Sequence, residues 1–188
     1  MQKSITFGLA GLVCLIAFVL LIGYRFDALW AGGTGFEGHQ TAIANGIEYQ
    51  RGETISTEVG QVLEVTFGST TLWLDENTEV KLVDGREDFL TVTIVQGRMV
   101  VIGDIAITVR EMAVNIAGTA SIVHYSWLDQ LDVACLDGGV GIITDETVEH
   151  LEGGEARRID TFSPYFSEWM EFDASSSSAA SFYEQALR

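Results

Sequence analysis

At 188 residues the chain has room for one domain with appendages, and 27 acidic against 10 basic side chains give it a formal net charge of −17. Nearly all of that charge follows the first 27 residues. Such a surface repels phosphate backbones and anionic lipid headgroups, which excludes nucleic acid as a partner. The two cysteines, Cys14 and Cys135, are too few and too differently placed for a disulfide framework.

Met1–Ser4 form a short tail ahead of Ile5–Tyr24, twenty residues without a charge. At about 1.5 Å of rise per residue, a helix of that length covers the ~30 Å hydrocarbon core of a bilayer. It is longer than a signal-peptide core and no A-x-A cleavage site follows, so the expectation is an uncleaved transmembrane helix. Lys3 lies before the span, whereas Arg25 after it is offset by Asp27. The positive-inside rule then puts the N-terminus in the cytoplasm and the acidic remainder on the extracytoplasmic, periplasmic side of a bacterial inner membrane. Residues 25–40, with Gly32, Gly33, Gly35 and Gly38, read as a flexible stalk.

Residues 41–160 show period-two alternation. Val65 and Phe67, Val80 and Leu82, and Leu90, Val92 and Ile94 alternate with polar neighbours, as do Ile105, Ile107 and Val109. Gly60, Asp84-Gly85, Gly97, Gly103-Asp104 and Asp137-Gly138-Gly139 supply turn signals between the runs. The pattern predicts about a dozen short strands in an all-β sandwich or solenoid. Met99–Ile102 and Val133–Leu136 are apolar on both faces, so they should be covered twice, which requires two layers. Cys135, inside the second run, reads as a small buried hydrophobe.

The segment 161–188 changes character. Ser163-Pro164 reads as a helix start, and Tyr165, Trp169 and Phe172 recur at helical spacing. That aromatic helix would close one end of the β-core. The serine-rich stretch Ser175–Ser178 follows, and then a short helix ends at Arg188.

No catalytic motif emerges. His39, His124 and His150 have no Cys or carboxylate at metal-ligand spacing, and G-x-S-x-G, P-loop and C-x-x-C signatures are absent. His124 reads as a hydrogen-bonded strand residue. Asp75–Glu79 and Asp84–Asp88 offer carboxylates without the alternating spacing of a calcium loop, and turns select the same residue types. The expectation is therefore no catalytic residue, no metal and no cofactor. Trp73, Tyr125, Trp127, Tyr165 and Trp169 are the candidate partner contacts, because exposed Trp and Tyr dominate recognition surfaces. The competing reading is that they fill the second layer of the core.

Several motifs then occur in order: Gly52-Glu53 to Thr57, Gly68-Ser69-x-x-Leu72, Asn77-Thr78-x-Val80, a strand–Gly97–strand unit and Ala117-Gly118-Thr119. Leu131-Asp132-Val133, Asp137-Gly138-Gly139-Val140 and Leu151 with Gly154 complete the series. Together they resemble the FecR domain over residues ~43–160. The resemblance implies an exported β-domain of stacked short strands on one helix, acting by binding or signal relay and without catalytic residues. Phe67 stands where the family usually has an acidic residue. Signalling members carry a cytoplasmic helical region before the span, where this chain has Met1–Ser4. They commonly carry a further C-terminal module as well. The expected function is thus a tethered outer module that binds an envelope protein or cell-wall component. The alternative is a sensor subunit relaying a signal through its span. An enzyme with dispersed carboxylates is the third class.

Overall fold

Alternation at period two becomes strand almost throughout the described part of the chain. The structure is a computed structural model that describes residues 41–86, 89–145, 147–163, 165–166, 170–172 and 179–188. The expected span Ile5–Tyr24, the stalk 25–40 and Trp169 lie outside those residues. Among the described residues, no helix is long and apolar enough to cross a membrane.

The strands are β1 (Ala42–Ala44), β2 (Ile47–Tyr49), β3 (Thr54–Ser56), β4 (Leu63–Phe67), β5 (Thr70–Leu74), β6 (Glu79–Arg86) and β7 (Phe89–Val109). They continue as β8 (Met112–Tyr125), β9 (Gln130–Ile143), β10 (Val148–Glu152), β11 (Glu155–Asp160), β12 (Tyr165–Phe166) and β13 (Met170–Glu171), followed by helix α1 (Ala180–Ala186). All thirteen strands belong to one hydrogen-bonded sheet in the order β12-β11-β9-β8-β7-β5-β4-β1-β2. Off that path, β10 pairs β9, β13 pairs β11, and β6 links β3 to β7. The pairings are antiparallel. The expected strand number is close, but the strands are not all short: β7 runs 21 residues, and β8 and β9 run 14 each.

One sheet does the work expected of two layers by folding back over itself. Straight, the 14 residues of β8 would hold their ends on the order of 40 Å apart at about 3.3 Å per residue. Yet Arg110, just before β8, makes an ion pair with Asp129, just after it. The bend lies at Gly103, Gly118 and Gly138, which are paired in register across β7, β8 and β9. All three have positive φ, at +115°, +130° and +80°. A Cβ on Gly118 would lie 2.4 Å from the Asp137 carbonyl oxygen, and one on Gly138 would lie 2.2 Å from that of Ala117. Only glycine fits such a crease.

The inner face stays inner on both sides of it. Met99 and Val101 before Gly103 share one core with Ile105, Ile107 and Val109 after it. In β9 the phase changes, from Leu131, Val133 and Cys135 to Val140 and Ile142. A bulge restores the match: Thr119 pairs Asp137 while Ala120 pairs Cys135, so Leu136 is the extra residue. In β4 the core face is Leu63, Val65 and Phe67, and Val62 turns to the outer side.

The outer face is covered locally by α1. Val100, fully buried, packs with Ala179, Phe182, Tyr183 and Ala186, and Val62, Trp73 and Phe172 border the cluster. The Tyr183 and Ser121 hydroxyls lie 2.7 Å apart in a buried hydrogen bond. The Arg98 guanidinium sits 5.9 Å from the Tyr183 ring centre and donates to Asp75 at 2.9 Å. The seven-residue helix has no side-chain N-cap, so packing rather than intrinsic propensity holds it. The double coverage predicted for Met99–Ile102 thus applies to the first three residues, while Ile102 is 37 % exposed.

The aromatic helix expected from Ser163 does not form. Its described residues give β12 and β13, which extend the edge of β11 through Ile159–Phe166 and Ala156–Met170 pairs. The cause is local. The Asp160 carboxylate accepts N–H bonds from Phe162 at 2.8 Å and Ser163 at 3.0 Å, an Asx turn that reverses the chain onto β11. Aromatic residues also suit strands, so pairing with an open edge outweighs helical spacing. The shorter helix expected near Arg188 is α1.

Candidate partner-binding face

Among the described residues, which exclude His39, no group of three His, Cys, Asp or Glu could hold a metal. The Asp75 carboxylate takes its bond from Arg98, and Glu76 accepts the Gly60 N–H at 2.5 Å. Two carboxylates of the Asp75–Glu79 segment therefore fasten loops. Cys135 is buried, and burial, reinforced by nearby Asp137, Glu155 and Glu152, pushes its thiol up from the ordinary value. That suppresses the thiolate and any nucleophilic role.

A different feature stands out at the open ends of β8, β9 and β11. Trp127 is 78 % exposed, Leu128 60 % and Phe162 77 %. Trp127 and Leu128 lie in the β8–β9 turn, closed by Leu128 N–H donating to the Tyr125 carbonyl at 2.9 Å. Phe162 follows β11. The two segments are tied together where Thr161 N–H donates to the Asp129 carbonyl at 2.7 Å. From the third side the β7–β8 turn contributes Arg110, which pairs with Asp129 and lies 5.7 Å from the Phe162 ring centre. An exposed ion pair contributes about 0–1 kcal/mol, and a surface cation–π contact about the same. These contacts position the apolar side chains more than they stabilise the fold.

Two carboxylates near the face are paired with arginines. Asp129 is paired with Arg110, and Asp132 receives two bonds from Arg158 at 2.8 and 2.9 Å. The Asp132 bond raises Arg158 above its ordinary value. The Ser163 and Phe162 amides hold Asp160 below the usual carboxylate range. In a chain of net charge −17, three apolar side chains thus sit near two carboxylates that are paired with arginines. Large exposed apolar groups gathered with an arginine mark a recognition surface.

Directly inside this end lies His124, 8 % exposed, with neither ring nitrogen hydrogen-bonded in good geometry. The strand histidine expected there is buried, with the Ile94 and Val95 carbonyls as its acceptors outside good hydrogen-bond geometry. Burial lowers its pKa from the ordinary value, against the carbonyls of Ile94 and Val95, which favour the protonated ring. Arg110 also lowers it and Asp129 raises it. The Thr161 hydroxyl, likewise buried, has no hydrogen-bond partner.

The sequence-derived candidates therefore separate. Trp127 lies exposed in the β8–β9 turn of this face, and Tyr125 is half-buried at the end of β8. Trp73 is half-buried against the α1 cluster, where it serves the chain's own packing. Tyr165 takes part in the β11–β12 ladder through its backbone, and Trp169 lies outside the described residues. Phe162 comes beside the Trp127–Leu128 turn through the β9–β11 pairing and Arg110 through the crease, neither of which local spacing reveals. The one available signal was Trp-Leu followed by Asp129 at a turn, two large apolar residues where turns select polar ones.

No family model matches the sequence, and no curated protein matches it. Two crystal structures of a "putative anti-sigma factor" from Parabacteroides distasonis are similar to this fold, each with a TM-score of 0.56 at 18 % sequence identity. The likeness covers 65 % of this chain and 61 % of that one, so the chain spans less than two thirds of its neighbour's length. At that identity the likeness is one of fold.

Proposed function

We propose that this chain is a FecR-like extracytoplasmic module, tethered by Ile5–Tyr24 to the bacterial inner membrane, that works by docking rather than by catalysis. Its partner is an envelope protein or cell-wall component, and its contact surface is the Trp127–Leu128–Phe162 face. The observation that carries this reading is that three large apolar side chains from two segments are held outward together near two carboxylates that are paired with arginines. The motif series supports the FecR assignment in one further way: Gly118 and Gly138, both within it, stand on the crease that defines the fold.

The test is site-specific photo-cross-linking from position 127 in intact membranes. A discrete adduct should form and should be lost on Phe162→Ser. A linker at Val59, 79 % exposed elsewhere, should give none. Equal adducts from both positions, or none from 127, would remove the basis for docking here. An alkaline phosphatase fusion at the C-terminus tests the tether's orientation, which predicts an active fusion.

The fold likeness to a protein described as an anti-sigma factor favours a second reading, a sensor subunit relaying occupancy of this face through the span. An adduct from residues 1–4 to a cytoplasmic regulator, changing with occupancy of the outer face, would select it.

A further inference from the structure

The docking face is built directly over a polar defect. His124 occupies the inner face of β8, opposite Gly97 of β7 and Leu131 of β9, with Ile159 of β11 one strand further. None of those three neighbours is titratable, and neither imidazole nitrogen makes a hydrogen bond in good geometry, although the Ile94 and Val95 carbonyls act on the ring as acceptors. The charged groups acting on the ring come from the two turns that support the face, Arg110 and Asp129. A buried polar group left unsatisfied costs about 1–3 kcal/mol, so such a ring is poorly held as it stands.

We propose that the Trp127–Leu128–Phe162 face is acid-responsive, with protonation of His124 loosening the turns that carry it and lowering its capacity to dock. This rests on the reading of that face as a docking surface. A proton from solvent adds to one imidazole nitrogen, and no other bond changes. The resulting cation is destabilised by burial, which outweighs the Ile94 and Val95 carbonyls that favour it, and is repelled by Arg110. Asp129, the nearest counter-charge, is already engaged by Arg110. Rehydration of the ring requires the end of the core to open. The bonds that must yield are Leu128 N–H to Tyr125 and Thr161 N–H to Asp129, one in each supporting segment. His150 is exposed and His39 lies outside the described residues, so neither competes for this role.

The experiment follows amide hydrogen exchange of the full chain in neutral detergent micelles at pH 7.5 and 5.0, corrected for the intrinsic pH dependence of exchange. The Leu128 and Thr161 amides should lose protection relative to those of Met99 and Ile122. The loss should approach about tenfold for each pH unit by which the folded ring titrates below the unfolded one. His124→Gln should abolish the difference. Should that variant not fold, the imidazole titration of His124 followed by NMR in a His39→Gln, His150→Gln chain replaces it, and its midpoint should match that of the protection loss. Equal protection at both pH values in the unaltered chain overturns the proposal. So does an unchanged response in His124→Gln, or a mismatch of midpoints. Because no partner enters the measurement, a pH response without cross-linking at 127 would sink the docking reading alone.

Discussion

The middle of β8 and its Tyr125 end are built on opposite principles. Midway along it, at the crease, backbone meets backbone so closely that a single Cβ would collide with a carbonyl oxygen 2.4 Å away. At its Tyr125 end the chain holds a buried ring without a hydrogen bond in good geometry and turns three large apolar groups to solvent. The crease admits one residue type and performs no chemistry. The turn end tolerates many residue types and is where recognition is expected. On the proposed reading, stability and recognition fall to different stretches of the same strand, so either could be altered without the other.

The largest break in that contrast should come from Gly118→Ala. The new methyl meets the Asp137 oxygen, and alanine is strained at φ +130°, so a loss of about 3 kcal/mol or more is expected. Urea denaturation of the variant should show it as a lower midpoint or as failure to fold. A loss under about 1 kcal/mol would mean that the crease can relax.

The second test is the acid limb of stability. The folded pKa of His124 is depressed, so the unfolded chain binds its proton first. The contribution is therefore fully present above about pH 6.5, the unfolded value, and falls away as pH drops toward the folded one. The slope for one proton approaches about 1.4 kcal/mol per pH unit. Denaturation midpoints between pH 7.5 and 5 should fall less steeply for His124→Gln than for the unaltered chain. Parallel curves would refute the assignment.

Tyr183→Phe should cost about 1–2 kcal/mol, because it leaves the Ser121 hydroxyl buried and unpaired. Thermal unfolding would register it, with no effect on adduct formation at position 127. Trp127→Ser should have the smallest effect on stability, within about 0.5 kcal/mol, since the side chain is 78 % exposed. The same change should abolish docking, and a stability loss above about 1 kcal/mol would show that Trp127 is packed in solution.

Much of the inner face was legible as alternation. Leu90, Val92 and Ile94, and then Ile105, Ile107 and Val109, occupy the core in the phase their spacing predicts. Doubly apolar Val100 was also readable as a residue needing cover, though its cover is α1 and not a second sheet. What could not be read was the folding back. Gly103, Gly118 and Gly138 are separated in sequence and acquire meaning only through strand register. Asp129 and Phe162 meet through the β9–β11 pairing and Arg110 joins them because of that bend, so no local spacing announces them. The Tyr165–Phe172 segment misled for a related reason: its helical spacing was real, but the open edge of β11 offered a better set of backbone partners.

The crease also bears on how the chain avoids misassembly. A slip of two residues between β8 and β9 would keep every apolar side chain on its proper face, so hydrophobic alternation cannot forbid it. It would, however, bring a residue with a side chain into the place where Gly118 and Gly138 now press on each other's backbones. The paired glycines therefore act as a keyway, admitting one alignment of the long strands and rejecting the near misses that alternation would accept.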